Sequence, residues 1–327
     1  MVAPLKDFNG KIAVVTGGGT GMGREMVRQL IAEGCTVAMC DVIPENMAKT
    51  QALCEEAGIP QGTRIMSHVA DVSKEAAIIG FQKAVAEELN TDKIHLLFNN
   101  AGVGGGGSFV NGSRAEWERT FDICWYGVYY SCRAFLPMLL KADRAHVTNT
   151  SSVNGFWASL GPQTPHTAYP AAKFAVKGFT EALITDFRLN APHITCSVVM
   201  PGHIGTAIAR NSGIVLREGK PMGEAELNQF RQRAKLFGMD GDKLTEVDVQ
   251  NFMNMMADGF ENNAPTSAAQ AAKIILDGVK ANRWRILVGD DAHRLDEAVR
   301  ADPESVYNED WANPMATIPQ TAATQPR

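Results

Sequence analysis

Short apolar runs alternate along this 327-residue chain with longer stretches whose apolar residues recur at helical spacing. That alternation leaves few ways to fold. Strands are predicted at residues 12–16, 36–41, 64–71, 94–99, 146–152, 194–200 and 285–289. A helix follows the first strand, with Met22, Met26, Val27 and Leu30 on one face. Further helices are predicted at residues 44–57, 74–89, 113–140, 167–189, 225–236, 247–260 and 267–280, with Ser73 and Ser113 as the clearest N-caps. Strands joined through helices run parallel, so the fold class is α/β: a parallel sheet with helices on both faces. Residues 1–301 are expected to form this domain, with the long connection 203–265 as a helical substrate lid inserted before the last helix and strand. Residues 302–327, rich in Pro, Ala, Thr, Asn and Gln, are expected to be a flexible tail unless a partner subunit holds them.

The charge balance excludes some functions. With 31 Lys and Arg against 36 Asp and Glu the net charge is -5, which gives nucleic acid or an anionic membrane no general attraction. The six cysteines form no Cys-x-x-Cys pair and the seven histidines no His-x-x-x-His, so neither a disulfide frame nor a metal site is expected. The first residues hold no apolar stretch of the ~20 residues a membrane span needs and no cleavage pattern. A soluble, cytoplasmic protein is the expectation.

The segment Thr16-Gly17-Gly18-Gly19-Thr20-Gly21-Met22-Gly23 lies where the first strand turns into the first helix. Bare backbone N–H groups and the positive helix end meet there, which makes a pyrophosphate cradle. Asp41 ends the second strand about 20 residues further on, where an acidic side chain meets the ribose hydroxyls of NAD and repels the 2′-phosphate of NADP. Its neighbour Val42 and the loop's Thr20 are uncharged. NAD is therefore the expected cofactor. NADP stays open because Arg24, expected to be solvated, lies close enough to swing toward a phosphate.

Two more motifs join the glycine loop in order along the chain: Asn99-Asn100-Ala101-Gly102 and Tyr169-Pro170-Ala171-Ala172-Lys173. With all three, the sequence resembles the classical short-chain dehydrogenase/reductase family over residues 8–206 and 267–289. The resemblance implies a single Rossmann-type, doubly wound sheet of about seven strands. It also implies NAD(P) binding and a homodimer or homotetramer packed through the helices at 113–140 and 167–190. Ser152 would be the catalytic serine, Tyr169 the general acid/base, and Lys173 the cation that favours its phenolate. The cofactor site would comprise Gly17, Thr20, Gly21, Met22, Gly23, Asp41 and Val42. Asp71 and Val72 at the adenine, Asn100, Ala101 and Gly102, Tyr169 and Lys173, and Pro201, Gly202, Ile204 and Thr206 on the nicotinamide side would complete it. Two positions depart from the family pattern. The stretch from Ser152 to Tyr169 is longer than usual, implying an insertion near the substrate, and Cys124 stands where the family commonly has an asparagine of the proton relay.

The chemistry fits these residue types. Hydride exchange between a carbinol carbon and nicotinamide needs a proton handled at oxygen, and a free phenol with a pKa of about 10 is a poor base at neutral pH. Tyr169 and Lys173 are four positions apart, on one face of a helix, where an ammonium stabilises phenolate. Ser152, at a strand end, can donate to the substrate oxygen, and strand alternation points its neighbour Ser151 the other way. Phe156, Trp157, Ile208, Ile214 and Val215 are candidates for an apolar substrate wall, and Gly104–Gly107 for a mobile flap or a flexible turn. Trp125, Tyr126, Tyr129 and Tyr130 read as core or interface. The expected function is an NAD(P)-dependent alcohol dehydrogenase or ketone reductase acting on a small, apolar secondary alcohol/ketone pair. The alternatives are an NADP-dependent carbonyl reductase and a non-catalytic dinucleotide sensor.

Overall fold

The computed structural model describes residues 4–161, 164–236 and 240–315. Seven strands form the sheet: β1 (Ile12–Thr16), β2 (Thr36–Asp41), β3 (Ile65–Val69), β4 (Leu96–Asn99), β5 (Ala145–Thr150), β6 (Ile194–Pro201) and β9 (Arg285–Val288). All pair in parallel, in the order β3-β2-β1-β4-β5-β6-β9. The chain works outward from β1 to β3 and then returns to β4 beside β1. This is the Rossmann-type doubly wound order, and its switch point lies between β1 and β4. A small parallel pair, β7 (Ile204–Gly205) with β8 (Thr266–Ser267), closes the base of the long connection.

Strand alternation divides the core into two layers. Val14, Ala38, Leu97 and Val147 face helices α3 (Glu75–Glu88), α5 (Gly127–Leu140) and α6 (Ala168–Asn190), where Ile78, Phe81, Phe135 and Ala172 are buried. Ala13, Val15, Val37, Met39 and Phe98 face α1 (Gly21–Ala32), α2 (Pro44–Ala57) and α10 (Ala268–Lys280), through Met26, Leu30, Met47 and Ile275. Both faces are covered, which is why these strands read as continuous apolar runs. Truncating Phe81 to alanine in such a layer costs about 3–5 kcal/mol.

Capping explains several helix starts. Ser113 accepts from the Glu116 N–H at the head of α4 (Arg114–Phe121), as expected from the sequence. Ser267 and Gln270 form a reciprocal capping box on α10. Ser73 does not cap α3: its hydroxyl donates to Asp71 Oδ1 (2.8 Å), and Lys74 stands at the N-cap without a side-chain bond. The single helix expected at 113–140 is three pieces, with a π-helical turn at Asp122–Tyr126 between α4 and α5. The long connection holds α7 (Ile208–Leu216), α8 (Glu224–Leu236) and α9 (Glu246–Asn262), of which α7 was not anticipated.

After β9 the chain forms α11 (Asp290–Ala301), also unforeseen, and then a segment that differs from the expected tail. Val306 is buried, Trp157 Nε1 donates to its carbonyl (3.2 Å), and Trp311 packs on Trp157 with ring centroids 5.4 Å apart. Together with Val153, Ala292 and Leu295 they make a third apolar cluster. The remainder of the expected tail, residues 316–327, lies outside the described residues. None of the described helices is long and apolar enough to cross a membrane.

Candidate active site

The carboxyl ends of the parallel strands share one edge of the sheet, and those of β1 to β6 carry the candidate residues. At the end of β1, Gly17 adopts φ +68°, where a side chain is strained, and its N–H donates to Cys40 O (2.8 Å). A Cβ on Gly23 would run into the Gly17 carbonyl, so only glycine lets the first turn of α1 pack under the loop. Asn100, after β4, donates from Nδ2 to the Thr16 and Gly17 carbonyls (3.3 and 3.4 Å), while its own N–H and that of Ala101 donate to Thr16 Oγ1. The loop is therefore a fixed object, stitched to β2 and β4. No side chain caps the head of α1, and Thr20 Oγ1 instead accepts from Asn211 Nδ2 of α7 (3.2 Å). The first-turn N–H groups remain the fixed dipoles that anions favour.

Asp41 has a second task that its spacing did not reveal. Oδ2 accepts from the Gly19 N–H (3.0 Å) and Oδ1 from the Ile43 N–H (3.1 Å), so its carboxylate also shapes the loop. Burial pushes its pKa upward and these backbone donors oppose the rise. Arg24 is half-buried and engaged rather than free. Its Nε donates to Thr50 Oγ1 (3.1 Å) and its terminal nitrogen to the Gly19 and Asn46 carbonyls, so the guanidinium braces the loop, and burial lowers its pKa. Asp71 is paired with Arg119 (2.8 Å) and accepts from Ser73; burial works against its charge, but these partners outweigh burial and hold its carboxyl below the usual range.

These elements enclose an open cleft. Of the expected cofactor residues, Gly17, Thr20, Gly21, Met22, Asp41, Val42, Asp71, Val72, Asn100, Ala101, Gly102 and Thr206 line it. Ile43, Ala70, Val103, Ile123, Ile208, Asn211 and Val215 line it as well. Gly23, Tyr169, Lys173, Pro201, Gly202 and Ile204 do not. Gly23 lies beneath the loop, Pro201 ends β6, Gly202 donates to Val288 O (3.0 Å), and Ile204 is buried in β7. Asp291, in the first turn of α11, holds this segment by accepting from the His203 N–H (2.6 Å). Asp290 and Asp291 just after a glycine were a legible helix start that the sequence reading passed over.

At the end of β5 the structure separates the two serines. Ser151 Oγ donates to Lys173 O (2.7 Å) and is consumed. Ser152 Oγ accepts from the Asn154 N–H (3.1 Å), which leaves its own proton to donate. Lys173, only 3% exposed, donates from Nζ to Thr150 O (2.9 Å), and that ammonium lies 5.3 Å from the centroid of the Tyr169 ring. A Cβ on Gly102 would come within 3.6 Å of Lys173 Nζ and 3.8 Å of Cys124 Sγ, so ammonium and thiol approach the same strip of backbone. Cys124, buried in the π-helical turn, donates to Val103 O (3.3 Å).

The walls differ in part from expectation. Ile208 and Val215 line the cleft, whereas Ile214 is exposed. Trp157 and Phe156 belong to the third apolar cluster, held there by the C-terminal segment. Gly104–Gly107 is pinned: the Gly104 N–H donates to Ser212 Oγ (2.8 Å), the Gly106 N–H to Glu116 Oε1 (3.1 Å), and Thr167 binds the Gly106 and Gly107 carbonyls. Trp125, Tyr126, Tyr129 and Tyr130 form an aromatic cluster in which Tyr126 stacks on Tyr130 and Phe179 meets Trp125 and Tyr129 edge-on.

Known proteins resemble this chain in sequence and fold. The short chain dehydrogenase family profile matches residues 11–214. A Mycobacterium tuberculosis protein, SadH, named only as an oxidoreductase, is 31% identical over 297 residues, covering 90% of this chain and 92% of its own. The solved structure of a short chain dehydrogenase/reductase from Burkholderia phymatum in complex with NAD has a TM-score of 0.72 at 27% identity, covering 92% of this chain and 96% of that one. A metagenomic short-chain oxidoreductase in complex with NADP has a TM-score of 0.53 at 28% identity, covering 64% of this chain and 91% of that one. The profile spans most of the sheet and all of the glycine loop, and the M. tuberculosis relative extends the likeness along nearly the whole chain: this protein belongs to the short chain dehydrogenase family of oxidoreductases.

Proposed function

We propose that the protein is an NAD-preferring secondary alcohol dehydrogenase or ketone reductase in which Ser152, Tyr169 and Lys173 carry the proton chemistry. The observation that carries this reading is the Lys173 ammonium, buried and 5.3 Å from the Tyr169 ring, together with the uncommitted proton of Ser152 at the end of β5. A dinucleotide suits the cleft: side chains at Gly17 and Gly23 would clash with the Ala101 and Gly17 backbone and distort the glycine loop, and the buried Asn100 Oδ1 has no hydrogen-bond partner among the described residues. Bound NAD would supply the two-electron sink that receives the carbinol hydrogen as hydride.

The chain's residues do the rest. In the oxidative direction the alcohol O–H proton passes to a Tyr169 phenolate as the carbon–hydrogen bond breaks; in the reductive direction Tyr169 returns a proton to the carbonyl oxygen. Lys173 stabilises the phenolate by charge, and the Thr150 carbonyl fixes the ammonium. Ser152 donates to the substrate oxygen and orients it. Val103, Ile123, Ile208 and Val215 offer the substrate apolar walls. The exposed Tyr126 of the π-helical turn and Phe174 and Leu189 of α6 support self-association there.

Asp41 supports NAD over NADP, because a carboxylate at the cleft meets a 2′-phosphate as a like charge and Arg24 is committed to loop carbonyls. In steady-state assays kcat/KM should favour NAD over NADP by at least about tenfold, or 1.4 kcal/mol. Asp41→Ala should weaken both cofactors, since the Gly19 and Ile43 bonds go, while the ratio between them shrinks. A wild type that prefers NADP overturns the assignment. Tight cofactor binding without turnover of any ketone favours the sensor instead.

A further inference from the structure

Asp291 is an acid that the fold turns inward. Its side chain is 3% exposed; Oδ2 accepts from the His203 N–H (2.6 Å), while the buried Oδ1 has no hydrogen-bond partner among the described residues. The ion pairs of α11, to Arg285 and Arg300, belong to Asp296 instead. Its neighbour Asp290 is exposed and already gives the first turn of α11 the acidic side chain that a helix N-terminus favours. Burying a second acid with one oxygen unpaired costs free energy, and helix polarity alone does not require it.

What Asp291 touches does require it. A Cβ on Gly202 would run into the Asp291 carboxyl group, and the Gly202 N–H is itself held by Val288 O (3.0 Å), so the acid lies flat against the segment that leaves β6. From His203 the chain runs into β7, where Ile204 pairs with Thr266, and on to Thr206, which lines the cleft. Thr206 also packs close to the glycine loop: a Cβ on Gly21 would come within 3.0 Å of its Cγ2. The backbone that Asp291 grips at His203 is therefore one short step from a side chain that faces the cleft and abuts the pyrophosphate cradle. Helix α11 itself lies beyond residues 11–214, which the family profile matches.

We propose that Asp291 is a positioning residue for the dinucleotide, acting through the His203 N–H to set where the 202–206 segment places Thr206 in the cleft. This rests on the oxidoreductase reading above and adds to it a helix that lies outside the cleft.

A double-mutant cycle on NADH affinity, read by fluorescence titration of the full chain, tests it. Asp291→Ala should raise the dissociation constant about tenfold. Asp291→Asn, which keeps an oxygen for the His203 N–H, should stay within about threefold of wild type. In a Thr206→Ala background, where the side chain that the segment delivers is already gone, Asp291→Ala should add less than about threefold, because the two residues act in series. Asp296→Ala removes the ion pairs of α11 without touching the 202–206 segment and should leave NADH affinity unchanged. If Asp291→Ala does not fold, Asp291→Ser takes its place in the cycle. Unchanged affinity in the Asp291 variant, full additivity with Thr206→Ala, or an equal loss in Asp296→Ala overturns the inference and leaves the oxidoreductase reading standing. A wild type that binds neither NADH nor NADPH overturns both.

Discussion

Cys124 shows how one residue departs from a pattern without vacating its place. The thiol is fully buried, gives its weak donor to the Val103 carbonyl, and lies on the strip of backbone that Lys173 also approaches. A thiol lacks the two donors and carbonyl acceptor of an asparagine, so here it acts as packing. Cys124→Ala should cost stability, about 1 kcal/mol, with turnover intact, and Cys124→Asn should leave activity unchanged or raise it. Melting temperature and kcat measured together decide it, and a large loss of turnover in a well-folded Cys124→Ala contradicts the packing role. His166 gives a second test at this scale. Its folded pKa is depressed by burial from 6.5 to about 4, so the unfolded chain binds the extra proton in that window and stability falls as pH drops through it. His166→Phe should therefore lose less melting temperature than wild type between about pH 6.5 and pH 4; an equal or larger loss would show that the imidazole is solvated. Other residues show where sequence reasoning stops. Alternation put Ser151 and Ser152 on opposite faces, but only the bond from Ser151 to the Lys173 carbonyl shows which is consumed. Arg24 looked free because its partners, Thr50 and Asn46, come from the next helix.

Elements were legible where periodicity is strong and obscure where it is not. Strands β1 and β2 and helix α2 fall on their expected bounds, and the capping box of α10 sits on its expected start. The π-helical turn at Asp122–Tyr126 leaves no local mark, because an inserted residue shifts helical phase without breaking it. The C-terminal segment was hidden by averaging: its composition is polar, while its anchors Val306, Tyr307 and Trp311 are few. Those anchors reach the turn that follows Ser152, Trp311 by packing on Trp157 and Tyr307 by accepting from the Ala158 N–H (3.1 Å). The segment thus holds Trp157 and Ala158, just after the turn that Ser152 begins. Trp311→Ala, which removes a partly buried ring, should cost about 2 kcal/mol and lower kcat several-fold with NADH affinity unchanged. Unaltered kcat in the folded variant would reduce the segment to a stabilising strap.

At the scale of the whole molecule, parallel pairing explains why candidates scattered along the sequence come together. A parallel sheet sends every strand's carboxyl end to one edge, so the glycine loop after β1, Asp41 on β2, Asn100 after β4, Ser152 after β5 and the 201–206 segment after β6 converge there, at the switch point between β1 and β4. What could not be read is what closes over that edge. Helix α7 docks on the glycine loop through Asn211 and on the pinned 104–107 segment through Ser212, and α11 returns from beyond β9 to hold His203. These contacts join residues far apart in sequence, and no local spacing encodes them. The central claim, that Tyr169 moves the proton within this assembled edge, meets its most direct test in Tyr169→Phe, assayed for ketone reduction and, in the same preparation, for NADH binding by fluorescence. The account predicts that kcat falls at least ~100-fold while NADH affinity stays within about twofold, because only the hydroxyl is removed. Near-normal turnover in that variant would contradict it.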